Sequence, residues 1–108
     1  MNKVLFSVAC CLISISLFAQ QEDIEKLHQN AKTFMQQGDY ANASLILVRA
    51  LQLEPNNLGI AKDLAYDYYL QRQNDKALSV LKPFLDRDNA DDQTYQIAGT
   101  VYNALGNQ

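Results

Sequence analysis

The chain has 108 residues, with nine Lys and Arg against twelve Asp and Glu, two cysteines and one histidine. That length allows one small domain, and a mildly acidic balance without a basic block lacks the electrostatic footprint of a nucleic-acid binder. Both cysteines, Cys10 and Cys11, lie in the first 19 residues, which excludes a disulfide framework or thiolate metal site from the body.

The N-terminus reads as an address. Lys3 and the terminal amine give a positive start, an uncharged run of 16 residues extends from Val4 to Ala19, and Gln20, Gln21, Glu22 and Asp23 end it. This is the layout of a secretory signal peptide, with Ala19 before the cut. As a helix the run would span roughly 24 Å, and a bilayer core calls for about 20 residues; Ser7, Ser14 and Ser16 weaken it further as an anchor. The ending Leu17-Phe18-Ala19-Gln20-Gln21 resembles bacterial export signals, although Leu17 stands where a smaller residue makes a firmer site. Cys10 could suggest a lipidated N-terminus, but Ser7 occupies the position where such signals want a Leu-like residue. The two cysteines therefore read as small apolar residues of the signal. The expectation is removal of residues 1–19 and a periplasmic or secreted body; the alternative is inner-membrane anchoring by uncleaved residues 4–19.

Helical periodicity governs the rest. Leu27, Ala31 and Phe34 recur at spacings of four and three, as do Ala43, Leu47, Ala50 and Leu51. The pattern predicts helices over 22–37, 40–53, 58–71, 75–86 and 92–105. Asp39, Asn57, Asn74 and Asp91 or Asp92 stand where N-caps are wanted, and Gly38 and Pro55 mark turns. Alanines at 31, 43, 50, 61, 65, 77 and 98 would let helices approach closely.

The stretch Gly38-Asp39-Tyr40-Ala41-Asn42-Ala43, followed by Leu47, Ala50, Leu51, Leu53 and Glu54-Pro55-Asn56-Asn57, resembles the second half of a tetratricopeptide repeat, a helical hairpin of 34 residues. One unit then occupies 24–57, with Leu27, Ala31 and Phe34 at packing positions of its first helix. A second occupies 58–91, carrying Ala61, Leu64, Ala65, Tyr68, Ala77, Leu81 and Phe84 in phase. A partial third covers 92–108, with Tyr95, Ala98, Gly99, Tyr102 and Gly106. No gap is needed. The resemblance implies an all-α helical-hairpin solenoid of about two and a half repeats behind a signal-peptide helix.

The departures from the pattern are specific. Asn30 stands where the first unit should have Leu, Arg72-Gln73-Asn74 replaces Gly-Asp-Tyr, and Asn89 replaces a proline. Pro83 lies inside the fourth helix, where it removes a backbone donor and should bend the helix near Ser79. The last helix is expected to pack on the second unit through Tyr95, Gly99 and Tyr102. That would leave Ala98, Val101 and Leu105 uncovered, a face available for self-association.

No constellation for catalysis emerges. Glu25 and His28 have the Glu-x-x-His spacing of di-iron bundles, but His28 is the only histidine, and it reads as solvated or partner-facing. No serine or cysteine has another base, and the four glycines form no phosphate loop. Asn42-Ala43-Ser44 is a glycosylation sequon set inside a repeat helix. Asp86, Asp88, Asp91 and Asp92 lack the calcium-loop pattern and read as turn formers and caps. No catalytic residue, cofactor or metal is expected.

The resemblance implies a non-enzymatic scaffold or adaptor that takes a protein or peptide ligand in a concave groove, with no nucleic acid and no stable membrane span once the signal is removed. The alternative is a structural N-terminal repeat region, or fragment, of a larger envelope-assembly protein. The family's groove positions fall on Glu25, His28, Lys32, Met35 and Gln36, then on Gly59, Lys62, Tyr66, Tyr69 and Leu70, then on Gln93, Gln96, Thr100, Asn103 and Ala104. From these the expected partner-binding set is His28, Lys32, Met35, Lys62, Tyr66, Tyr69, Gln96 and Asn103. The Lys/Asn/Arg set that grips a peptide's C-terminal carboxylate in chaperone-binding members is not reproduced. Tyr66 and Tyr69 join broad apolar area to a hydrogen-bonding tip, as binding hot spots do.

Overall fold

The computed structural model describes residues 23–107; the signal-peptide and anchor readings of residues 1–19, and the cysteines within them, lie outside the described residues. Five helices follow one another: α1 Ile24–Gln36, α2 Tyr40–Leu53, α3 Leu58–Leu70, α4 Asn74–Asp86 and α5 Asp92–Gly106. The starts of α1, α3 and α5 are 34 residues apart, and each helix packs on the next. The protein is an all-α helical repeat. No described helix is long and apolar enough to cross a membrane.

Short polar side chains start four of the five helices. Asp23, Asp39, Asn57 and Asp91 each accept a hydrogen bond from the backbone N–H three residues on, satisfying a donor that has no partner within the helix. The fourth helix corrects the expectation placed on Asn74. Its N-cap is Gln73, without a side-chain cap bond, and Asn74 is the first helical residue. Asn74 is buried, and its Oδ1 has no partner. The cause is the preceding turn. Arg72 takes the left-handed conformation, φ 62°, that Gly38 takes at φ 77° one repeat earlier. The next residue, Gln73 here and Asp39 there, is then the cap. Holding a non-glycine residue in that region costs about 1 kcal/mol. Gly106, one repeat after Arg72, does not form this turn: it is the last residue of α5, with Asn107 as C-cap. α4 runs on through Pro83. Pro83 and Ser79 both lie on its exposed side, so the carbonyl deprived of a donor is open to water.

Small residues set the packing. Ala31, Ala43, Ala50, Ala61, Ala65 and Ala77 are fully buried and Ala98 nearly so. One core cluster joins Ala31, Leu47, Ala50, Ile60 and Leu64; a second joins Ala65, Ala77, Leu81, Ala98 and Val101. Tyr68 and Val80 pack against both, which makes the two clusters one continuous core.

The first helix of the second unit packs on two sides. In α3, Ile60 and Leu64 point back into the cluster of the first hairpin, and Ala65 points forward into the cluster with Ala77 and Leu81 of α4. α5 follows the same rule, and this inverts the expectation for its faces. Ala98 and Val101 are buried in the second cluster and Leu105 packs against it, with Thr94 buried beside them. Tyr95 and Tyr102 are about half exposed, and a Cβ added at Gly99 would meet nothing within 4 Å. The outward face is therefore Tyr95-Gly99-Tyr102, the stripe one repeat beyond Ala61-Ala65-Tyr68. Helical spacing alone could not say which of two interleaved apolar stripes faces back. Asn30 stands in register with the buried Leu64: in α1 the corresponding stripe is Lys26, Asn30 and Thr33, all exposed.

Candidate binding groove

α3 lies against both α1 and α5, and the three first helices form the surface on which the expected groove residues fall. Two of those residues, one repeat apart, act as cross-ties. His28 Nε2 of α1 pairs with Asp63 Oδ2 of α3. Lys62 Nζ of α3 donates to Asp91 Oδ2 at 2.7 Å and to Gln93 Oε1 at 2.9 Å, at the start of α5. The Lys62 ammonium, together with the Thr94 hydroxyl and amide, holds the Asp91 carboxyl well below the usual carboxylate range. Asp91 thus caps α5 and ties it to α3 at once. The side chain of Lys62 is only 16% exposed, so its charge is spent within the chain.

Between α3 and α5 lies a concavity of about 260 Å³, lined by Asp63, Tyr66, Tyr69, Gln93, Gln96, Ile97 and Thr100. The Tyr66 and Tyr69 rings stand 6.0 Å apart, centroid to centroid, tilted by 30°. Tyr66 is 44% exposed and Tyr69 is half-buried, reaching the second core cluster. Thr100 Oγ1 donates to the Gln96 carbonyl at 2.9 Å, so its oxygen keeps its acceptor capacity.

The structure brings together Tyr66, Tyr69 and Gln96 of the expected set, with Lys62 and His28 at the edge through their bonds to Gln93 and Asp63. Lys32 and Asn103 are exposed and do not line the concavity, while Met35 packs against the first core cluster. Asp63 and Ile97 line it without having been among the expected groove positions. The signal was available, since each lies three residues before another lining residue, Tyr66 or Thr100, on the same helical face. Among the described residues, no group of three or more His, Cys, Asp or Glu could hold a metal ion. Glu25, paired with His28 by sequence spacing, is exposed, and His28 turns instead to Asp63.

A family model described as tetratricopeptide repeat matches residues 34–98. No curated protein matches the chain.

Proposed function

The chain belongs to the tetratricopeptide repeat family, a protein–protein interaction scaffold, and from that premise we propose that it is an exported, non-enzymatic adaptor holding a polypeptide segment in the α3–α5 concavity. The observation that carries the reading is the tilted Tyr66–Tyr69 pair lining a concave surface, with Tyr66 open to solvent and Tyr69 half-buried beside it. Exposed aromatic pairs of this kind offer large area at low entropic cost. Export rests on Lys3, the apolar run from Val4 to Ala19 and the small residue before Gln20, and gives a periplasmic or secreted location.

Replacing Tyr66 and Tyr69 by alanine should weaken binding of the physiological partner by roughly thirtyfold, equivalent to loss of about 2 kcal/mol, with helical circular dichroism nearly unchanged. Tyr68→Ala, which removes the ring shared by both core clusters, should instead destabilise the fold. A double variant as unfolded as Tyr68→Ala would remove the groove assignment.

The outward face of α5 favours a second reading, that the protein is a structural part assembling with its own kind. Gly99 sits between Tyr95 and Tyr102 with open space above it, a self-complementary stripe on which two copies can cross about a two-fold axis. Sedimentation velocity should then show a concentration-dependent dimer that Tyr102→Glu abolishes. A monomer at all concentrations would contradict it.

A further inference from the structure

We propose that the α3–α5 concavity receives an arginine side chain carried by an extended segment of the partner polypeptide; this rests on the groove reading above and specifies what the groove recognises. The first support is charge. Asp63 is the lone carboxylate of the lining, its side chain one-third exposed, and no lysine or arginine shares the lining. The neighbouring cation, Lys62, is already bonded to Asp91 and Gln93. A carboxylate ligand would meet an acidic group with no lysine or arginine in the lining to receive it, whereas a guanidinium meets the Asp63 carboxylate, of which His28 takes Oδ2.

The second support is the shape of the aromatic pair. Two tyrosine faces 6.0 Å apart and tilted by 30° offer π-surface to a flat, weakly hydrated cation, and a guanidinium stacks on such rings better than an ammonium does. The chain already makes a contact of this class on another face, where Lys76 Nζ lies 5.7 Å from the Tyr68 ring centroid. The third support is the acceptor set. The Gln96 amide oxygen and the Thr100 hydroxyl oxygen, whose proton is given to the Gln96 carbonyl, can take guanidinium N–H donors that Asp63 does not. A volume of about 260 Å³ suits one long side chain rather than a folded element.

The test is a titration of ¹⁵N-labelled protein, into the millimolar range, with capped heptapeptides Gly-Ser-Gly-X-Gly-Ser-Gly where X is Arg, Lys, Gln, Leu or Glu. The Arg peptide should shift the amide resonances of Tyr66, Tyr69, Gln96 and Thr100, the Lys peptide should bind several-fold more weakly, and the others should leave them in place. Asp63→Asn should weaken the Arg peptide about tenfold or more. His28→Ala removes the α1 partner of Asp63 but keeps the carboxylate, so it should retain Arg binding; that separates recognition by Asp63 from loss of a structural tie. Equal binding of the Leu or Glu peptide, or an Asp63→Asn variant that binds Arg like the parent, would overturn the arginine inference and leave the groove reading standing. Silence of every peptide would overturn it too, and the groove reading would then be decided by partner binding of the Tyr66/Tyr69 variant.

Discussion

Leu64→Ala is expected to lower the unfolding free energy by about 2–5 kcal/mol. Leu64 is 2% exposed and packs with Leu47, Ala50 and Ile60 where α3 meets the first hairpin. The alanines around it bring the helix backbones close, so the surrounding structure has little freedom to collapse into the space left behind. In a repeat protein the seams between hairpins carry the coupling, and this seam joins the first hairpin to everything after it. Urea unfolding followed by circular dichroism should show a large drop in midpoint. Leu45→Ala, at a residue 70% exposed on α2, should stay within about 0.5 kcal/mol of the parent. Equal effects at the two positions would mean that α2 and α3 do not pack as described.

The second large effect depends on pH. Asp67, one turn beyond Leu64 in the same backward stripe, is fully buried. Gln71 Nε2 donates to its Oδ2 at 2.8 Å and also to the Tyr40 carbonyl at 3.2 Å, while its Oδ1 has no partner. Burial pushes its carboxyl up to about 6, against a partial downward pull from the Gln71 amide. Burial, reinforced by the Asp67 charge, likewise raises the neighbouring Tyr68 hydroxyl. Because the folded chain holds the Asp67 proton more tightly than the unfolded chain, stability is greatest below the unfolded value near 4. It falls as pH rises through about 6, by on the order of 2 kcal/mol. Asp91 has the opposite sign and a different window: its contribution is present above pH 4 and is lost as pH falls toward its depressed folded value. Unfolding free energies at pH 4.5 and 7.5 should therefore differ, with the lower pH more stable, and Asp67→Asn should flatten that difference. A parent protein equally stable at both values would show that Asp67 is not buried as a carboxylate.

Much of the fold was legible because the repeat period and the alanine positions are local signals. Asp39, Asn57 and Asp91 announce their helices by side-chain chemistry that acts within one turn, and a 34-residue phase carries each packing position forward. What the sequence hid was relational. Tyr95, Gly99 and Tyr102 have the same spacing as Leu27, Ala31 and Phe34, yet it is the interleaved Ala98 and Val101 that α5 buries in the second core cluster. Asn74 resembles a cap, but Arg72, adopting a conformation usually left to glycine, moves the start of α4 so that Gln73 takes that place. At the groove, Tyr66 and Tyr69 stood out by residue type, whereas Lys62 was expected to meet a partner and is a cross-tie to Asp91. Met35 likewise has groove spacing but enough apolar length to pack into the core. Asp63 shares a helical face with Tyr66, but its pairing with His28 joins two helices and no single-helix pattern displays it.

The central claim is that a polypeptide occupies the Tyr66–Tyr69 concavity, and site-specific photo-cross-linking in the host tests it most directly. A benzophenone amino acid placed at Gln96, beside the two rings, should give a discrete cross-linked adduct with another polypeptide. The same group at Leu45, exposed on α2 and outside the concavity lining, should give none. Adducts of the same identity and yield from both positions, or from Leu45 alone, would contradict the account.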